Sequence, residues 1–502
     1  MTLRFAQWMV RVTGLLALTA CTDRFADINT DPTTTASATP DQLFSRALKY
    51  GTLYDSDFEV GEHLHANMWV QYFANSKPEV KTDRYESDDA QASKFWDHFY
   101  TGYGMDLQQA IQLLRDDPTQ VNRLSQARIW RAYLFQRMTD YWGDIPYTQA
   151  FGGASAANTQ PAYDAQSTIY ASMLRELAEA AAALDNTQPG NFGPADLLYA
   201  NPDAANPAPA PALANLRWQH FANSLRLRMA MRLSEVDPAL AAAQVRAALA
   251  GGVMQSSSES AIMRNTGGSI RINQNPLAVV LGFDYSRVSA TLIDYLTRYR
   301  DPRLAVFAKP VTGSAATWRG LPNGLSVTQL TLPQYNPSNF SAAGQRYQAA
   351  DNNQNILTYA EVCFLRAEAC WRGWDAAGSA ESWYNAGIRE ALVLAGITSP
   401  AVADTYLQQP GVRYQASQAQ EQIITQKWLL LFGHNGFEAF AEYRRTGFPT
   451  LRAGLSPGET NGQIPRRLRY PTIEQRLNPA SYQQAVSRQG PDAMTTPVWW
   501  DK

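Results

Sequence analysis

The chain has 502 residues, with 43 Lys and Arg against 45 Asp and Glu, for a net charge of −2. That balance excludes the basic excess of a nucleic-acid footprint, and a chain this long can bury about three quarters of its surface without disulfide staples. Aromatic residues reach 11%, including 13 Trp and 24 Tyr, so some rings are expected at the surface, where Trp and Tyr favour interfaces.

Residues 1–20 read as a targeting segment. Arg4 and Arg11 supply positive charge, and residues 12–20 form a short apolar run. The run is shorter than the roughly 20 residues of a spanning helix. It ends in Leu18-Thr19-Ala20-Cys21, which resembles the lipobox of bacterial lipoproteins. The resemblance implies loss of 1–20 as a signal peptide and acylation of Cys21, the lipidation site. Residues 21–40 then read as the acylated cysteine and a Thr-, Asp- and Pro-rich tether, which fully stretched spans roughly 60 Å. Residues 41–502 are expected to form one domain. Its two cysteines, Cys363 and Cys370, lie seven apart in a helical pattern. Their Cα atoms are then about 10.5 Å apart along the axis, beyond the ~7 Å limit of a disulfide, so they read as small buried hydrophobes.

From Asp41 onward, 3–4 spacing of apolar residues dominates. A helix is expected to begin at Asp41, with Leu43, Phe44, Ala47 and Leu48 on one face. Others follow over 95–114, 124–141, 167–184 and 216–233. The clearest runs over 356–374, where Ile356, Ala360, Cys363, Phe364, Ala367, Cys370, Trp371 and Trp374 share a stripe. Glu361, Glu368 and Arg372 lie off that stripe, with Glu368 and Arg372 spaced as an i,i+4 pair. Further helices are predicted over 380–394 and, opened by a Ser417/Gln420 capping box, through Ile423, Trp428 and Leu431. A last one covers 436–445, closed by Gly447 and Pro449. The paired lengths suggest solenoid-like packing. Residues 186–213, 264–284 and 311–351 lack periodicity; loops this long are usually functional or disordered. Residues 456–502 show little helix and are expected to wrap the body.

Enzyme motifs fail on their own chemistry. Gly454-Leu455-Ser456-Pro457-Gly458 matches a nucleophile elbow as a string, but that elbow needs a backbone N–H after the serine. Pro457 has none. Gly102-Tyr103-Gly104 lacks the third glycine of a dinucleotide loop, and His63 and His65 lack H-E-x-x-H spacing. Asp88-Asp89 and Asp116-Asp117 read as caps and solvated surface. No enzyme, metal or cofactor is called for.

Several strings then occur in a telling order. Phe25-Ala26-Asp27-Ile28-Asn29-Thr30-Asp31-Pro32 follows the lipobox. Next come Asp140-Tyr141-Trp142-Gly143-Asp144-Ile145-Pro146-Tyr147, then WQHFANSLRLRMAMR from Trp218, and Asp301-Pro302-Arg303-Leu304. YAEVCFLRAEA from Tyr359, Gln426-Lys427-Trp428, Glu442-Tyr443-Arg444-Arg445-Thr446-Gly447, Ile464-Pro465-Arg466-Arg467 and Tyr470-Pro471 complete the series. Together they resemble the SusD/RagB-like nutrient-binding outer-membrane lipoproteins, nearer the SusD-like 2 branch. The Pro/Ala-rich stretch 201–213 departs from the family's usual compact turn.

The resemblance implies an all-α fold: a tetratricopeptide-like helical scaffold with a large irregular loop face. It implies a non-catalytic surface lipoprotein, held to outer-membrane lipid through Cys21. Such a protein would bind oligosaccharide and deliver it to a TonB-dependent SusC-like transporter. A peptide-binding member of the same family and a helical-repeat adaptor for proteins are the alternatives. Arg444, Arg445 and Glu442 are expected to tie helix ends, and Tyr141 and Trp142 to pack.

Sugar recognition needs flat apolar faces flanked by hydrogen-bonding groups. Trp218, Trp371, Trp374 and Trp428 lie on helical stripes and read as core. Loop aromatics are the ligand candidates: Trp69, Tyr72 and Tyr85 early in the chain, and Phe283, Tyr285 and Trp318 in the middle. Arg319 and Asn275 join them as polar contacts, with Asn75, Asn273 and Arg287 nearby. Trp318, off any helical stripe, is expected to stack a sugar without bearing on stability.

Overall fold

A computed structural model describes residues 38–54, 56–152, 159–188, 190–199 and 211–502. Cys21, the leader and nearly all of the tether lie outside the described residues. The first helix, α1 (Pro40–Gly51), starts where local chemistry dictates. The Thr39 side chain accepts the Gln42 N–H, the Gln42 side chain accepts the Thr39 N–H, and Pro40 takes the first helical position. A π-helical stretch, Glu59–Asn67, follows, then β1 (Phe73–Asn75). Next come α2 (Asp89–His98), α3 (Gly104–Leu114) and α4 (Val121–Trp142). Periodicity predicts one helix over 95–114; a π turn, Phe99–Tyr103, divides it, with Gly102 outside helical geometry. A small pair, β2 (Ile145–Pro146) with β3 (Tyr163–Asp164), leads to α5 (Gln166–Ala183) and α6 (Pro211–Arg232).

Then follow α7 (Pro238–Ala250), β4 (Ala261–Met263), α8 (Pro276–Leu281), β5 (Ser286–Val288) and α9 (Ala290–Arg298). After the long middle loop come β6 (Gln354–Leu357), α10 (Tyr359–Trp371), α11 (Ala380–Leu394) and α12 (Pro400–Leu407). The chain ends with α13 (Ala419–Leu431), α14 (Gly436–Thr446), α15 (Thr472–Leu477) and α16 (Pro479–Gln489). Among the described residues the fold is helical with only small antiparallel strand pairs, a tetratricopeptide-like scaffold with one irregular face. Helices α4 to α7 pack each on the next, and α10 packs on α11 and α13. A second, smaller core lies between α10, α11, α12 and α13, around Phe364, Tyr384, Leu392, Tyr406 and Ile423.

Four expectations change. No Ser417/Gln420 capping box forms. A 3-10 turn over Ala416–Gln418 precedes α13 instead, and the Gln422 side chain reaches back to the Gln415 N–H at 2.8 Å. The tail carries α15 and α16, both too short and polar to leave an apolar period. Trp371 is 39% exposed, because α10 ends there; Trp374 is partly buried, and both rings flank Arg372, each centroid 5.3 Å from its guanidinium carbon. Glu361 and Glu368 are buried rather than solvated, because α10 is enclosed on several sides. Trp218 and Trp428 are core, as expected.

The π-helical stretch buries a titratable group. The Glu62 carboxylate accepts the Gly436 N–H at 2.7 Å. Burial pushes its pKa up to about 7, against which that hydrogen bond and the charge of Arg137 work. The folded pKa exceeds the unfolded value, so its contribution to stability is whole below about pH 4.5 and is lost as pH rises through about 7. Asp83 and Asp196, each raised by burial to about 6, act in the same direction. The Glu62 share is on the order of 3 kcal/mol, or roughly 3 °C in Tm for a chain of this size. Melting curves from pH 5 to 8 should show Glu62→Gln losing less stability than wild type across that window. Parallel curves would remove Glu62 from the account.

Candidate functional site

The irregular face is assembled by short backbone pairings between distant loops. β1 pairs antiparallel with β5, setting Ala74 opposite Arg287 and Asn75 opposite Ser286. On the other side of β5, Leu321 N donates to Val288 O at 2.9 Å and Ala290 N to Leu321 O at 2.8 Å. These pairings gather the early and middle irregular regions into one surface.

Most of the aromatic candidates are spent inside it. Trp69 is buried between His65 and Phe440, with its indole N–H on the Thr82 carbonyl at 3.1 Å. Tyr72 stacks on Trp428 and its hydroxyl donates to the Trp428 carbonyl at 2.5 Å. Tyr85 lies beneath the loop around Ser456, where Glu459 N donates to the Tyr85 carbonyl at 2.9 Å. Gly458 (φ 53°) runs so close to the Arg84 carbonyl there that a Cβ would collide with it. Asn275 is buried as the N-cap of α8, accepting from Leu277 N at 2.9 Å and Ala278 N at 3.2 Å. Asn75 turns its amide onto the Lys77 and Val80 carbonyls. None of these five offers a face to a ligand. Loop position suggested exposure, but the loops are themselves covered by other loops.

Phe283, Arg319 and Trp318 reach solvent, as do the neighbouring polar groups Asn273 and Arg287. Phe283 is 42% exposed and lies beside Tyr285, whose ring is stacked at 6.2 Å but itself buried. Asp284 between them holds a left-handed backbone (φ 56°), which throws Phe283 outward while Tyr285 turns in. The Arg287 guanidinium donates to Asp284 at 2.6 Å and to the Pro337 carbonyl at 3.0 Å. Exposed Arg319 covers the Phe340 ring at 4.6 Å. Trp318 is only half free: it packs on the core and donates its indole N–H to the Ala308 carbonyl at 3.0 Å. Truncating it should therefore cost stability, where the sequence led to no such expectation.

Sequence reasoning missed a cleft of about 650 Å³ between α1 and the loops at 194–197 and 263–273. Arg46, Lys49 and Tyr50 line one wall, and Arg264, Thr266 and Asn273 the other. Of these only Asn273 stood out in sequence. The cleft adjoins the aromatic ledge through one turn, Arg271–Asn273. Ile272 and Asn273 line the cleft, while Arg271 lies over the Phe283 ring at 5.9 Å. A mostly apolar concavity with a few placed polar groups, next to an open ring, suits a small polar ligand with apolar faces. Among the described residues no cluster of three or more His, Cys, Asp or Glu side chains could hold a metal ion. No helix among them is long and apolar enough to cross a membrane.

The SusD-like 2 family, described as starch-binding and associating with the outer membrane, matches residues 32–471. The chain belongs to this family. Solved SusD-like structures share its fold. A SusD-like protein described as Bacteroidetes AC2a is 29% identical, with a TM-score of 0.79 over 93% of this chain and 100% of its own. A chitin-binding protein is 28% identical, with a TM-score of 0.79 over 92% of this chain and all of its own. A chitin-binding SusD homologue from Flavobacterium johnsoniae is 25% identical, with a TM-score of 0.80 over 92% of this chain and 98% of its own. No curated protein matches the chain.

Proposed function

We propose that this SusD-like protein is a surface lipoprotein, anchored through acylated Cys21, that captures oligosaccharide and passes it to a TonB-dependent SusC-like transporter. In this reading residues 1–20 are removed, 21–40 form the tether, 41–502 are the capture domain, and no reaction is catalysed. The observation that carries it is the family match over residues 32–471. The chitin-binding descriptions of two similar structures support a glycan ligand. The cleft and the Phe283 ledge form the capture surface, with Arg319 beyond them.

Stacking a sugar on Phe283 buries roughly 80–100 Å² of apolar surface, or about 2–2.5 kcal/mol as an upper figure, since ordering the ligand costs part of it. Calorimetric titration with chito- and malto-oligosaccharides should detect binding to one series, with no new reducing ends. Phe283→Ala should weaken it about tenfold and leave Tm within about a degree. Unaltered affinity in that variant would remove Phe283 from the site. Absence of binding to any glycan would overturn the capture reading.

A further inference from the structure

The charges around the cleft do not cancel. Its described charged residues are Asp41, Arg46, Lys49 and Arg264, three cations and one acid. The acid is already engaged, because Asp41 is ion-paired with Arg123 of α4. Arg46 is satisfied from outside the cleft by Asp106 of α3 at 2.5 Å. Lys49 is in a different position. Its ammonium donates to a neutral acceptor, the Asn265 side-chain oxygen, at 2.8 Å. An ammonium has three N–H donors, and no carboxylate lies within ion-pair distance of it among the described residues. Burial lowers its pKa to about 8, and no neighbouring acid offsets that loss.

A half-buried cation with a neutral partner, in a cleft large enough for sugar rings, is stabilised by an anion that arrives with the ligand. Such a charge-assisted hydrogen bond is roughly twice as strong as a neutral one. Asn273 and Thr266 on the facing wall and the Tyr50 ring beside Lys49 supply the hydroxyl partners and apolar face that a pyranose needs. A peptide carboxylate would meet the same ammonium. The open Phe283 ring next to the cleft favours stacked sugar rings over an extended backbone, which would seek an exposed strand edge.

We propose that the cleft selects acidic glycans, seating a uronic-acid carboxylate on Lys49. This rests on the reading of the cleft as a glycan site. The test titrates the full chain with galacturonate and glucuronoxylan oligosaccharides, and with the same oligosaccharides after reduction of their carboxyl groups. Wild type should bind an acidic form at least tenfold more tightly than its reduced counterpart. Lys49→Met should erase that preference, bringing the ratio of the two affinities in the variant to about one. Equal affinity for both forms, or a preference that survives Lys49→Met, overturns the proposal and leaves neutral-glycan capture standing. Binding of an acidic tripeptide without binding of any saccharide would overturn both.

Discussion

Replacing Arg445 with Leu should cost this protein about 3–5 kcal/mol, the usual price of stranding buried carboxylates. Arg445 donates to both oxygens of Glu368, at 2.6 and 2.7 Å, and to Glu442 at 2.6 Å. It also reaches the Ser234 hydroxyl at 2.9 Å. Around it, Arg232 pairs with Glu438 and Glu442, Lys427 with Glu438, and Arg228 with Glu361. The partners come from α6, α10, α13 and α14, so the network joins helices far apart in sequence. Neighbouring cations hold Glu368, Glu438 and Glu442 below the usual carboxylate range despite full burial. Without Arg445, Glu368 loses its closest counter-charge and Glu442 one of its two partners at 2.6 Å, in a medium that solvates ions poorly. Melting temperature should fall by roughly 3–5 °C, or the variant should fail to fold. Adding Glu368→Gln and Glu442→Gln to Arg445→Leu should recover part of the loss, because fewer buried charges are then stranded. A single variant melting within a degree of wild type would show that packing alone holds these helices.

Trp500→Ala should cost as much by a different route. The indole is fully buried near the end of the chain, and its N–H donates to Asp140 at 2.8 Å. Its ring faces the guanidinium groups of Arg444, at 4.7 Å, and Arg232, at 5.2 Å. The tail is held beside it, with Arg466 N donating to the Met494 carbonyl at 2.6 Å and Arg466 ion-paired with Asp501. Truncation leaves a cavity worth about 3–5 kcal/mol and removes the neutral face on which two cations rest. Trp500→Phe should keep much of the packing and lose the hydrogen bond, and so fall between. A Trp500→Ala protein as stable as wild type would mean that the tail lies on the body without bracing it.

Most of the helical scaffold was legible because burial of one helical face writes a 3.6-residue period into the chain. α1, α4, α5, α6, α11 and α14 fall within a few residues of their predicted ranges. Helices such as α8, α9 and α15 escaped notice because they are short, and α7 because its Ala-rich sequence carries little contrast between faces. The family was legible for a related reason. Strings such as Glu442 to Gly447 encode local geometry and its tertiary partners together, so their order survives where overall identity is low.

The candidate site was legible only in part. Phe283 and Arg319 are exposed as loop residues were expected to be, whereas Trp69, Tyr72, Tyr85 and Asn275 are not. Sequence alone carried the helical periods, which follow from local spacing, and the family, which follows from the resemblance of its ordered strings. Tertiary structure alone decided which loop residues see solvent, where the cleft opens, and that Glu361 and Glu368 are buried among cations. Those outcomes depend on contacts between segments hundreds of residues apart, such as Tyr85 under the 454–459 loop. A chain's local period records which face of an element is apolar, but not what finally covers it.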